Sequence, residues 1–178
     1  MSTTLNSSGI TARVPWSFEN VLDWANASNS SSFSYTKTLT NGTGANQADL
    51  IYIRSTTLAA GATLNLDLAG TLLDMYGNTI TMARFKVLYF ELLTTTTASS
   101  VTIGGHATVA VGNWITATPD LDTAQPKIRV RNGGCVLLVA PDATAYAVTA
   151  TTDDTLTLVN ADGANVATYR LVIIGSSV

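Results

Sequence analysis

The sequence predicts an all-β protein: an antiparallel β-sandwich, jelly-roll-like, preceded by an N-terminal arm. Three observations carry this. Short apolar runs with period-two alternation recur about every dozen residues, and Gly, Asn, Asp or Pro separates them. No long helical pattern interrupts the series, which argues against an α/β fold. No internal repeat is present, which argues against a propeller or a solenoid. The arm is assigned to residues 1–33 and the sandwich domain to residues 34–178.

The arm differs from the rest of the chain. It holds Trp16 and Trp24 and ends in the polar run from Asn26 to Ser32. The segment from Pro15 to Trp24 reads either as one or two helical turns starting at Ser17 or as an extended arm whose large apolar groups dock elsewhere. Packing on its own domain and reaching another subunit are both open. Trp16, Phe18, Leu22 and Trp24 are the candidate interface residues, because aromatics of this kind anchor interfaces.

The strands follow in order. Phe33, Tyr35, Lys37 and Leu39 alternate with Ser34, Thr36 and Thr38, and Asn41-Gly42-Thr43-Gly44 makes a turn. Leu50 to Ile53 opens the next strand. Leu64, Leu66 and Leu68 point inward and Asn65 and Asp67 outward, the cleanest alternation in the chain. Tyr76-Gly77-Asn78 turns the chain before Ile80. Phe85 to Leu93 is the central run, apolar on both faces as in a strand covered on two sides. A helix is the rival reading there; the β-branched Thr94 to Thr97 that follow favour strand. Ser99 to Ile103, Ile128 and Val130, the buried strand Val136 to Val139, Tyr146 to Thr149, Leu156 to Leu158 and Val166 to Ile174 complete the set. Residues 106–125, with Trp114, Pro119, Asp120 and Asp122, read as a long loop. The expected core includes Leu64, Leu66, Leu68, Val87, Leu88, Phe90, Leu137, Leu138 and Ile173.

Composition narrows the function classes. Charged residues are only 12% of the chain, about half the usual share. A chain with so few charges gains little from charge repulsion and suits an assembly that covers much of its surface. The net charge is -3 and no basic cluster is present, so nucleic-acid binding by phosphate neutralisation has nothing to rest on. Lys127, Arg129 and Arg131 alternate with Ile128 and Val130 and line the outer face of one strand. The N-terminus lacks the basic and apolar regions of a secretion signal, and no apolar run approaches the ~20 residues needed to span a bilayer. The Asn-x-Ser/Thr tripeptides at Asn26, Asn29 and Asn41 read as accidents of a Ser/Thr/Asn-rich chain.

Chemistry finds no foothold. The single cysteine, Cys135, reads as a small buried hydrophobe at a strand start, and the single histidine, His106, sits in a Gly-Gly-His turn. Two such residues are too few for an internal zinc site. Asp153-Asp154 and Asp120/Asp122 read as solvated turn formers, with no EF-hand spacing. Gly-x-Ser-x-Gly, P-loop and dinucleotide fingerprints are absent. Trp114 and Tyr146 are open to either sugar stacking or packing. The expectation is a non-enzyme with no cofactor and no metal.

Three stretches carry a resemblance. Asn46-Gln47-Ala48-Asp49-Leu50, the segment DLAGTLLDMYG at 67–77, and GGCVLLVAPDATAYAVTATTDD at 133–154 with the closing Val172-Ile173-Ile174-Gly175 are similar to small virion-associated proteins of tailed bacteriophages. The likeness runs in order over about residues 41 to 175. It implies an all-β virion structural protein, in first place a capsid cement or decoration protein on the outside of the shell. Such proteins are often trimeric. The implied partners are the major capsid protein and further copies of the chain, with no nucleic acid and no membrane. The implied location is the virion, assembled in the host cytoplasm. The alternatives are a tail, baseplate or fibre component, or a carbohydrate-binding β-sandwich module.

Overall fold

The computed structural model describes residues 5–21, 24, 26–96, 99–104 and 127–177. These hold eleven strands and no helix. Two long strands come first, β1 (Ser7–Val21) and β2 (Asn26–Thr40), and pair only with each other. Then come β3 (Leu50–Leu58), β4 (Thr63–Asp67), β5 (Arg84–Leu92) and β6 (Ser100–Ile103). The series ends with β7 (Ile128–Arg131), β8 (Cys135–Val139), β9 (Tyr146–Ala147), β10 (Thr155–Asn160) and β11 (Ala167–Ser176). One sheet has the order β4-β10-β6-β7, and the other β3-β11-β5-β8 with β9 also on β5. All strand pairings are antiparallel. From β3 to β11, leaving β9 aside, every connection crosses to the other sheet except the one from β6 to β7.

The two sheets face each other across one apolar core. Leu66, Val101, Ile103, Leu156 and Leu158 come from one side, and Tyr52, Leu88, Phe90, Leu92, Tyr169, Leu171 and Ile173 from the other. The expected all-β sandwich is therefore what forms. Of the expected core residues, Leu66, Leu68, Leu88, Phe90 and Ile173 are buried in this cluster, and Leu64 and Leu138 are half-buried against it. Val87 and Leu137 belong to a second cluster on the opposite face of the five-stranded sheet. There Ile10 and Leu39 of the hairpin root, with Ala48, cover Val87 and Ile174. Both faces of β5 are thus apolar because both are covered.

Local chemistry fixes the turns. Gly77 sits at φ 85°, a left-handed conformation that suits glycine. The Asp74 carboxylate closes that turn by accepting from the Tyr76 and Asn78 backbone N–H groups, both at 2.8 Å. The Asp162 carboxylate does the same in the last turn, accepting from Ala164 N at 2.9 Å and Asn165 N at 3.1 Å. These hydrogen bonds hold the carboxyl below its ordinary pKa.

Several expectations are corrected. Ser17 does not start a helical turn; it lies within β1, because the full length of Ser7–Val21 is paired with Asn26–Thr40. The 33/34 boundary falls inside β2. Phe85 and Lys86 do not follow strict alternation. The β5–β11 register shifts between Ile174 and Gly175, and this bulge sends Phe85 into the main core. Val136 to Val139 is half-buried and not buried, since β8 is an edge strand. Cys135 does start that strand but is exposed; it pairs with Glu91, which lies on the sheet's outer face. Asp154 is buried and not a solvated turn former, and its carboxylate accepts from Thr151 N at 2.6 Å and the Thr155 hydroxyl at 3.1 Å. The expected loop at 106–125, with His106, Trp114, Asp120 and Asp122, lies outside the described residues, as does Leu22.

Candidate functional site

The β1–β2 hairpin is the most unusual surface of the molecule. Each strand has 15 residues, so at ~3.3 Å per residue the ribbon is about 50 Å long. Directly paired residues share a face, which sorts the side chains. Ile10, Ala12, Val14, Trp16 and Phe18 of β1 lie opposite Lys37, Tyr35, Phe33, Ser31 and Asn29 of β2. The other face carries Thr11, Arg13, Ser17 and Glu19 opposite Thr36, Ser34, Ser30 and Ser28. The ribbon is amphipathic, with one apolar face and one polar.

Only the root of the apolar face is covered. Ile10 and Leu39 are buried, whereas Phe18 is 70% and Phe33 76% exposed. Trp24, beyond the end of β1, is 99% exposed. Trp16 and Phe33 touch ring to ring at 4.9 Å, and the Trp16 indole N–H donates to Asn29 Oδ1 at 3.3 Å. These cross-strand contacts order the ribbon without hiding it from water. A lone two-stranded hairpin is marginally stable in water, so a ribbon this long calls for a covering surface. Of the four expected interface residues, Trp16, Phe18 and Trp24 all lie on this hairpin. Val14, Phe33 and Tyr35 join them and were not among the expected interface residues; the sequence places Phe33 to Leu39 in a strand, but the polar run from Asn26 to Ser32 hides that strand's first half.

The hairpin root is held by contacts from segments far apart in the chain. After β2, Thr40 N donates to Asn46 O at 3.0 Å, and Asn46 N donates to Pro141 O at 2.6 Å. Asp49 N reaches Gly175 O at 3.2 Å. The Lys86 ammonium, fully buried, donates to Gly44 O, and the Arg84 guanidinium donates to Ala143 O. Desolvation and the nearby Arg84 push the Lys86 ammonium below an ordinary lysine, against the opposing pull of Asp142 and Asp49. The motifs around Asn46, Pro141 and Gly175 therefore converge on one structural knot at the base of the ribbon.

Asp142 organises its part of the knot. Its carboxylate accepts from the Thr144 hydroxyl, the Ala145 N–H at 2.8 Å and the Thr144 N–H at 2.9 Å. This turn carries Ala145 at φ 45°. The three hydrogen bonds hold its pKa down to about 2. A depressed carboxyl favours the folded turn at pH above its ordinary range, and that contribution is lost as the pH falls through about 2. An NMR titration of the Asp142 carboxyl carbon is expected to give a midpoint near 2; a midpoint near the ordinary carboxyl value of 3.8 would show that the turn is not closed this way.

Reactive chemistry finds little to work with. Among the described residues no three His, Cys, Asp or Glu side chains are grouped to hold a metal, and no helix is long and apolar enough to cross a membrane. A cavity of about 220 Å³ near Asp49 and Asp74 is lined partly by Leu5, Ile51 and Ile80. Its Asp74 carboxylate is already spent on the turn at Gly77. Glu91 pairs with Arg170 at 3.4 Å and accepts from the Tyr89 hydroxyl at 3.0 Å. Burial, and then that hydrogen bond, push the Tyr89 phenol up. The group is a surface ion pair. No protein-family model, no curated protein and no solved structure matches this chain.

Proposed function

We propose that this chain is a structural protein of a tailed-bacteriophage virion, a capsid cement or decoration protein that binds the outside of the shell and stabilises it. The observation that carries this reading is the uncovered amphipathic hairpin, rooted in the segments that resemble virion proteins. An apolar ribbon projecting from a rigid sandwich suits a protein whose work is to grip neighbours. The order of the sheets supports a jelly roll, since β3-β11-β5-β8 and β4-β10-β6-β7 alternate along the chain as two interleaved Greek keys do.

In this reading the protein acts as a homotrimer, and its partner is the major capsid protein. It uses no enzyme chemistry or cofactor and binds neither nucleic acid nor membrane. It is made in the host cytoplasm and ends in the virion. Each subunit makes modest contacts to the shell, and repetition over the lattice multiplies them into avidity.

The test is direct. Purified protein is added to empty shells of the parent phage that lack it, and binding is followed by co-sedimentation and shell disruption by calorimetry. The expected result is saturable binding and a higher disruption temperature. Binding to tails or fibres and not to shells would replace the cement role with that of a tail component. Retention on host polysaccharide alone would point to a carbohydrate-binding module.

A further inference from the structure

We infer that the apolar face of the β1–β2 hairpin docks on a second copy of this chain, across the outer face of that copy's five-stranded sheet. The inference rests on the self-association in the proposed function and not on the shell. One chain carries both halves of the contact. The donor is the ribbon face of Val14, Trp16, Phe18, Phe33 and Tyr35, which carries no charged side chain between Ala12 and Asn20 or between Ala27 and Tyr35. The acceptor is a groove of about 260 Å³ between the hairpin root and the sheet, floored by Ile51, Val87, Tyr89, Leu137, Val172 and Ile174.

Charge fits this pairing. On the acceptor sheet face Glu91 and Arg170 neutralise each other at 3.4 Å, so an uncharged ribbon strands no charge there. A lipid surface would call for basic residues beside the aromatics. Here the apolar face carries a single basic residue, Lys37 at the root opposite Ile10, and Arg13 lies on the polar face with Glu19.

Size fits as well. Aromatic side chains bury ~150–250 Å² each, and the four on the ribbon are 37–76% exposed, so covering them removes on the order of 450 Å². In a ring each contact then joins one ribbon to one sheet and covers about 900 Å² in total, near the ~1,000 Å² lower bound of a specific interface, and each chain makes two such contacts. The root already shows the mode of packing, with Ile10 and Leu39 seated on Val87 and Ile174 of the same sheet face. The chain's own sheet does not cover the distal ribbon, since Phe18 and Phe33 stay exposed within one copy.

The experiment uses the full chain. Light-scattering mass over a concentration series is expected to exceed the 18.6 kDa of one chain by a whole multiple. The double variant Phe18→Ser with Phe33→Ser is expected to be monomeric over the same range and still to unfold in one cooperative transition, because both side chains are exposed within one copy and the sandwich core is untouched. For the acceptor, Cys135 offers a native reporter: it is exposed and pairs with Glu91 beside the groove. Isotope-labelled protein carrying Phe18→Cys and Cys135→Ser is mixed with unlabelled native protein and oxidised. A disulfide between position 18 of one copy and Cys135 of another is expected by mass spectrometry. A native chain that stays monomeric overturns self-association and docking together, including when it binds phosphatidylcholine vesicles instead. An oligomer that survives the double variant, or one that gives no 18–135 link, overturns the docking alone. Shell binding is read separately and decides neither.

Discussion

Phe90→Ala is expected to lower the free energy of unfolding by ~3–5 kcal/mol. Phe90 is fully buried at the middle of β5, with β11 on one side and β8 on the other. It stacks on Tyr169 at 5.5 Å with the ring planes 19° apart. Its pair partners are Leu171 and Val136, so the cavity left by truncation would open under both neighbours. The sheets on either side are held by backbone ladders and collapse poorly into such a space, which puts the cost toward the upper end. Urea unfolding measures it. Leu66→Ala, from the opposite sheet, is expected to cost ~2–5 kcal/mol by the same mechanism. A loss below about half a kcal/mol at either site would mean that the side chain is not packed between the sheets.

The fold was legible because the inner faces of the strands are plain. Leu64, Leu66 and Leu68 announce their direction, and the Phe85 to Leu93 run announces a strand covered on both sides. Alternation failed where the backbone departs from it. At the β5 bulge Phe85 takes an inward position, and Lys86, which period two places with Leu88 and Phe90, instead donates to Gly44 O at the hairpin root. Nothing in FKVLYF marks that extra residue. Cys135 and Val136 to Val139 were read as buried because their composition is apolar. Composition does not say which strand will stand at an edge with its outer face half open.

The candidate site was legible by half. Trp16, Phe18 and Trp24 stand out as large apolar groups near a terminus. Of their partner strand only the alternating half from Phe33 stands out, since Asn26 to Ser32 is a polar run. A serine-rich strand forms here because every residue from Asn26 to Thr40 has a partner in β1, with Trp16, Phe33 and Tyr35 on the opposite face. Pairing is a long-range property, and a local reading of propensity does not contain it. The knot of Asn46, Pro141, Asp142 and Gly175 was visible as motif but not as geometry, because its members are up to 129 residues apart (from 46 to 175).

Gly175→Ala is expected to cost ~1–3 kcal/mol, although it adds a single methyl group. Gly175 lies where the β5–β11 register shifts, paired with Phe85 on one side and Leu50 on the other. A Cβ there would fall inside contact distance of the Arg84 carbonyl oxygen and within 2.9 Å of the Met82 sulfur. The thioether can swing away. The carbonyl cannot, because Arg84 is paired with both Ser176 and Ala147 in the sheet. Relief therefore requires the strands to part at the bulge. That would also loosen the hydrogen bond from Asp49 N to Gly175 O, which helps fix the hairpin root. Gly163→Ala is the control: no atom lies within 4 Å of its Cβ, and a change within about half a kcal/mol is expected. Paired denaturation curves measure the difference, and limited proteolysis near Asn41 reads the root. Equal stability of the two variants would mean that the bulge is loose enough to admit a methyl group. A destabilised Gly175→Ala with an unchanged cleavage rate would mean that the hairpin root is held without it.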